Sequence, residues 1–409
     1  MATVVLLGTL DTKGEEYGWL RAQLESDGCA VVTVDVGSFT EGPPADVPSA
    51  EVAGRSGVDV GPMLAARDRG AVVDAMGRGA AAVVRELFEQ GRLHAVLAVG
   101  GSGGSSIAAP AMQALPVGVP KLLVSTMASG DVSPYVGQSD VTLMYSVVDI
   151  SGLNSISRAV LGNAAAAAAG MAAAYQRRTA EPAADERPLV GASMFGLTTP
   201  AVDEARARLT ELGYEVLVFH ATGAGGRAME GLADAGLLAG VLDLTTTELA
   251  DDLVGGVLTA GPHRLEAAGR RGIPQVVSVG ALDMVNFGGR ETLPAEFGDR
   301  QFLVHNPTVT LMRTTPAESA ELGRRVAAKV AAATGPAEVL LPAGGVSGID
   351  VPGGPFADPA ADEALFGAVR EGLAGTGVPV TDWDGAINDP GFGRLAAERL
   401  HALITTGGN

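Results

Sequence analysis

The chain has 409 residues, enough for two domains with cores of their own, and its 57 glycines follow no every-third-residue period, which excludes a collagen. Hydrophobic residues at 47% against charged residues at 18% exclude a disordered chain, and 28 basic against 47 acidic residues, a net charge of −19, disfavour a nucleic acid surface. The lone cysteine, Cys29, excludes an intramolecular disulfide or a zinc knuckle and fits a reducing cytoplasm.

Val4 to Gly8 is an apolar run closed by glycine and predicts a first strand; with no basic flank before it, it does not read as an export signal. A helical pattern from about Lys13 to Ser26 and a second strand, Ala30 to Val36, follow. After a Gly- and Pro-rich loop, Gly37 to Pro48, helices are expected in parts of 61–90, then strands at His94 to Val99 and Lys121 to Ser125. The alanine stretch from Ala159 to Ala174, broken by Gly162, Asn163 and Gly170, predicts a helix and not a membrane span. Polar, proline-containing Thr179 to Pro188 is the expected linker, which divides the chain into 1–184 and 185–409. In the second part, strands are expected in the runs from Tyr214, from Ala239, at Val276 to Val279 and at Val339 to Leu341. Helices are expected at Ala317 to Thr334 and Asp362 to Leu373, then a strand near Val378 to Thr381 and a last helix from Phe392 to Thr405. Short apolar runs alternating with helices imply an α/β protein of two related Rossmann-like domains, their mostly parallel sheets covered by helices. The tail either completes the second sheet or braces the first domain.

The halves resemble each other in order. Thr9-Leu10-Asp11-Thr12 follows the first strand of one half as Gly196-Leu197-Thr198-Thr199 follows that of the other. The runs from Cys29 and Tyr214, from His94 and Ala239, and KLLVS and QVVSV correspond, and VTLM occurs at both Val141 to Met144 and Val309 to Met312. Duplication explains this; so do two unrelated domains under the same strand and turn constraints.

Ligands of open α/β sheets bind outside the carboxyl ends of strands, where helix N-termini expose unpaired N–H groups. Three strings of the first half fall there: GTLDTKG (Gly8 to Gly14), GGSGGSS (Gly100 to Ser106) and STMASGD (Ser125 to Asp131). Candidate cofactor-binding residues are Gly8, Asp11, Thr12, Lys13, Gly100, Gly101, Ser102, Gly103, Gly104, Ser105, Ser125 and Asp131. The glycines permit a nest of backbone donors, the serines add hydroxyls, Lys13 approaches phosphate, and Asp11 and Asp131 are candidate Mg²⁺ ligands. None of the strings is GxGxxG or a P-loop, and each also reads as a strand-to-helix turn with a capping serine or aspartate. In the second half, HATGAGGRAME offers His220 as acid or base, Arg227 as an anion clamp and Glu230 beside them, with Asp283, Asn286, His305 and Arg313 further on. A metal site from His220, His305 and Asp283 lacks any HxH or HExxH spacing, and no GxSxG elbow marks a serine hydrolase.

VLLGTLDTKGEE, AVGGSGGSS, STMASGD, HATGAGGRAME and SVGALDMVNFG, in this order, make the chain resemble the Tm-1-like ATP-binding family, also called UPF0261, over essentially its whole length. The resemblance implies two α/β domains, ATP binding and a homodimer. A plant member carries a further barrel-like domain, so it also implies a separately encoded TIM-barrel partner. The expectation is a cytoplasmic protein that binds ATP or a related nucleotide with Mg²⁺ in its first half. It extends to an enzyme activating a small carboxylate or carbonyl compound held across the interdomain cleft. Two alternatives stand beside it: a nucleotide-independent lyase, isomerase or hydrolase of a small anionic substrate using His220 and Arg227, and a noncatalytic nucleotide-responsive scaffold. Neither a nucleic acid nor a membrane is an expected partner.

Overall fold

The computed structural model describes residues 1–180 and 187–406, so most of the expected linker, 181–186, lies outside the described residues. The chain forms two compact units, Met1–Ala184 and Asp185–Asn409.

The first unit runs β1 (Thr3–Gly8), α1 (Leu10–Ser26), β2 (Ala30–Asp35), α2 (Ser49–Gly54), α3 (Gly61–Ala65), α4 (Arg69–Glu89), β3 (Ala95–Gly100) and α5 (Ser102–Gln113). It continues with β4 (Lys121–Ser125), α6 (Ser133–Val136), β5 (Thr142–Tyr145) and the alanine-rich α7 (Ser155–Ala180). The sheet order is β2-β1-β3-β4-β5, and every pairing is parallel. Helices cover both faces, so β1 and β3 are apolar without alternation. Val5 and Leu7 face a core with α4 and α5, while Val4 and Leu6 face one with α1 and α7. Each buried aliphatic side chain adds roughly 1.5–3 kcal/mol.

The second unit runs β6 (Leu189–Met194), α8 (Thr199–Glu211), β7 (Glu215–His220), α9 (Ala224–Asp234), β8 (Gly240–Thr245), α10 (Glu248–Val254), α11 (Ala267–Arg270) and β9 (Gln275–Gly280). Then come β10 (Met284–Phe287), β11 (Phe302–Asn306), β12 (Val309–Arg313), α12 (Pro316–Ala331), β13 (Ala337–Pro342), α13 (Pro359–Leu373), β14 (Val380–Trp383) and α14 (Phe392–Thr406). Its parallel sheet has the order β14-β13-β9-β8-β6-β7. Counted within the unit, that is 2-1-3-4-5-6, the first unit's 2-1-3-4-5 with one strand added. The tail thus joins the second sheet, and α14 packs on α8, where a Cβ on Gly393 would fall 2.1 Å from Ala201 O.

This shared order agrees with the pairing of strings between the halves, with one correction. Val141 to Met144 overlaps β5 of a parallel sheet, but Val309 to Met312 lies in β12 of a separate antiparallel sheet, β10-β12-β11. The counterpart of β5 is β13, so the two VTLM strings share only a β-favouring composition. The small antiparallel sheet itself was not expected from the sequence. Its strands are four or five residues long and carry no alternation distinct from the parallel ones. No described helix is long and apolar enough to cross a membrane.

Candidate functional site

In the first unit the chain leaves β1 toward β2 and then crosses back to β3 on the other side. The carboxyl ends of β1 and β3 therefore diverge, which is where a doubly wound sheet opens a crevice. A cavity of about 300 Å³ lies there. Thr9, Asp11, Thr12 and Lys13 line it from the turn after β1, Val36 to Phe39 from the loop after β2, and Gly101 to Gly104 from the start of α5. Arg69, Val72 and Val73 of α4 and Ile107 of α5 complete the wall.

Its charge is built from backbone and side chain together. The first helical bond of α5 runs from Ser105 N–H to Gly101 O at 2.9 Å, so the amides of Ser102, Gly103 and Gly104 precede the ladder and carry the positive end of the helix dipole. Arg69, exposed and without an ion pair among the described residues, brings a terminal guanidinium nitrogen within 3.5 Å of where a Cβ on Gly103 would sit. Lys13 also lines the cavity, but its ammonium donates to Ile150 O, and its φ of −133° breaks the first turn of α1.

The opposite wall carries acid. Asp11 Oδ2 accepts the Phe39 N–H at 3.2 Å, while its buried Oδ1 has no hydrogen-bond partner. Asp35, at the end of β2, uses one oxygen to accept both Leu10 N–H (3.0 Å) and Gly37 N–H (2.8 Å), tying the β1 and β2 loops together. Burial raises the Asp35 carboxyl above the usual range, its two backbone donors oppose that, and the nearby Asp11 charge adds to it. Phe39 stands at the rim, half exposed.

Of the cofactor candidates, Asp11, Thr12, Lys13, Gly101, Ser102, Gly103 and Gly104 come together here. Gly8, Gly100, Ser105, Ser125 and Asp131 do not line the cavity. A Cβ on Gly8 would fall 2.0 Å from the Tyr17 ring, and one on Gly100 would fall 3.0 Å from Gly104, so both glycines serve close packing beneath the site. Ser105 and Ser125 turn inward and bond each other at 2.7 Å. Asp131 accepts the N–H and hydroxyl of Ser133 at the start of α6. Asp11 is thus the one carboxylate lining the cavity, and no described group of three or more His, Cys, Asp or Glu is arranged to hold a metal. One carboxylate is too few for a Mg²⁺ cage built by the protein alone.

In the second unit the candidates are engaged elsewhere. His220 ends edge strand β7 with its ring edge-on to Phe195 at 5.4 Å. Arg227 donates to Thr259 O at 2.9 Å. Glu230 accepts the N–H groups of Leu265, Glu266 and Ala267, closing the start of α11, and pairs with Arg264. Arg264, which the sequence reading passed over, is fully buried among Asp243, Glu248 and Glu230. Asp283 takes the Ser347 hydroxyl on one oxygen and leaves the other unpartnered. Burial, with the Arg313 charge opposing it, pushes its carboxyl up to about 6.

Sequence reading also missed Arg69, Gly37, Ser38 and Phe39. The pair Gly37-Ser38 opening a Gly- and Pro-rich loop after an apolar strand is the same signal that marked the other loops. Arg69 carries no such signal, because it opens its own helix in a run of surface charges, ARDRG.

Two doubly wound α/β units of one strand order, the first with an open crevice lined by backbone donors, define the class of this protein. Residues 2–177 match the N-terminal domain, and residues 187–404 the C-terminal domain, of the "Uncharacterised protein family (UPF0261)", and the chain belongs to that family. It is 47% identical to a UPF0261 protein of Clostridium tetani over 97% of this chain and 98% of the relative, and 46% identical to one of Mesorhizobium japonicum over 98% and 99%. It is also 41% identical to the ToMV resistance protein Tm-1(GCR237) of Solanum lycopersicum, over 88% of this chain but 50% of the tomato protein.

Proposed function

We propose that the first unit binds ATP or a related nucleotide, with Mg²⁺ carried on its phosphates. The observation that supports this is the convergence of the Ser102, Gly103 and Gly104 amides with the Arg69 guanidinium, unpaired among the described residues, at one end of a cavity of about 300 Å³. Clustered N–H donors at a helix start and a planar cation are what a phosphate group requires. The rest of the wall suits the remainder of a nucleotide: hydroxyls of Thr9, Thr12 and Ser38, a carboxylate on Asp11, and apolar contact from Val36, Val72, Val73 and the half-exposed Phe39 ring.

The proposal is for binding. Arg227 and Glu230 are each held by backbone partners, which favours binding over turnover. A small anionic metabolite, a homodimer and a cytoplasmic setting accompany this reading; the last rests on the composition and on the buried thiol of Cys29, which burial pushes up. The tomato relative is about twice as long as the segment it shares with this chain. Calorimetric titration of the full chain with ATP, Mg²⁺ and a nonhydrolysable analogue tests the reading. Binding that an Arg69→Ala variant loses supports it, and no heat with any nucleotide at millimolar concentration overturns it.

A further inference from the structure

The cavity of the first unit is bipolar. Its α5 end offers N–H donors and Arg69, and its β1 end offers an acceptor, Asp11, with nothing but Phe39 N–H bound to it among the described residues. The unpartnered Oδ1 lies against Gly37, where a Cβ would fall 2.5 Å away. Any side chain at that position would collide with the carboxylate, so glycine is what lets the acid stand there.

In doubly wound nucleotide sites the acid that takes sugar hydroxyls stands at the end of the second strand. Here that position is Asp35, which is buried, does not line the cavity, and already accepts Leu10 N–H and Gly37 N–H on one oxygen. The acid left with accepting capacity at the cavity wall is therefore Asp11, on the turn after the first strand. Each carboxylate oxygen can accept more than one hydrogen bond, so Asp11, which lines the cavity and takes Phe39 N–H on Oδ2, still has accepting capacity there. A cation is the poorer occupant. Mg²⁺ needs near-octahedral oxygen ligation, Asp11 is the one carboxylate at hand, and Arg69, Lys13 and the α5 dipole already make the field positive.

We infer that Asp11 is the specificity residue of this site, accepting a ribose hydroxyl of the nucleotide whose phosphates sit at the start of α5. The inference rests on the nucleotide reading, and its test separates the two. The full-length protein is titrated with ATP, 2′-deoxy-ATP and 3′-deoxy-ATP, in Mg²⁺ and in chelator, as wild type, Asp11→Asn and Asp11→Ala. Asn keeps an acceptor for Phe39 N–H, which guards against a collapsed loop.

The expected result is a wild-type preference for ATP over at least one deoxy analogue of about 10- to 100-fold, the worth of a hydrogen bond to a charged group. In both variants the preference shrinks to within about twofold, while the effect of Mg²⁺ stays as in the wild type. Equal binding of all three nucleotides by the wild type overturns the inference and leaves the nucleotide reading standing. A preference that persists in Asp11→Asn and Asp11→Ala, or a loss confined to the Mg²⁺ dependence, also overturns it. Absence of binding by any nucleotide overturns both.

Discussion

The two parallel sheets share the strand order 2-1-3-4-5, to which the second adds one strand, yet their switch points differ. In the first unit the crevice between β1 and β3 is open, walled by glycines, hydroxyls and one free arginine. In the second, the loop after β6 is covered by its own unit: Leu197 O accepts Gly348 N–H at 2.9 Å and Asn388 Nδ2–H at 2.8 Å. Thr198 bonds Thr245 at 2.8 Å, and Thr198, Thr245, Thr246, Thr247 and Glu248 are all buried. The loops that do this follow β13 and β14, and β14 is the strand that the first sheet lacks. Doubly wound topology therefore supplies the place for a ligand, and the loops of later strands decide whether the place stays open. The guanidinium follows the same division, exposed at Arg69 in the open site and buried among three carboxylates at Arg264 in the closed unit.

The sharpest way to break this contrast is Arg264→Met. It leaves Asp243 and Glu248 buried without their counter-charge, and urea unfolding should record a loss of about 3–5 kcal/mol. A loss below about 1 kcal/mol would mean that water reaches those carboxylates. Arg69→Ala should do the reverse, leaving the unfolding midpoint where it is and weakening nucleotide affinity about 10- to 100-fold by calorimetry. Tyr17→Phe sits between the two. Its hydroxyl donates to Leu7 O at 2.6 Å and accepts Val99 N–H at 2.8 Å, joining β1 to β3 beneath the crevice. Losing it should cost about 1–3 kcal/mol in urea, and affinity should fall less than in Arg69→Ala.

A pH slope belongs to the closed unit. Burial raises Asp283 to about 6, Asp251 to about 7 and Asp350 to about 8, and the Asp283 charge adds to the rise at Asp350. Each folded-state value lies above the unfolded one, so between roughly pH 4 and 8 the folded unit binds more protons than the unfolded chain. Stability is then greatest at the acid side of that window and declines as pH rises, by at most about 1.4 kcal/mol per pH unit for each proton. Asp350→Asn should flatten the decline seen by thermal melts from pH 5 to 8.5; an unchanged slope would place the protons elsewhere.

Much of the open site was legible. GTLDTKG and GGSGGSS stand at the ends of uninterrupted apolar runs, and a strand that ends in glycine before a helix delivers backbone donors whatever the rest of the fold does. The misses share one cause. Ser105 and Ser125 look like the exposed Ser102 in sequence, and only the approach of β4 to α5 turns their hydroxyls inward to each other. Glu230 looked like a reacting group beside Arg227, and only the arrival of 265–267 above α9 made it a cap. Arg69 and Arg264 had no local signature at all.

By itself the sequence determined the two-unit α/β class, the succession of strands and helices of the parallel sheets along the chain and the glycine loops at their ends, because apolar runs, helical periodicity and turn residues act over neighbours in the chain. Only the tertiary structure decided which loops meet, which arginine stays free and which acid keeps an unpartnered oxygen. Those are matters of approach between residues 25 to 191 positions apart, such as Leu10 with Asp35 or Leu197 with Asn388, and no local pattern encodes them.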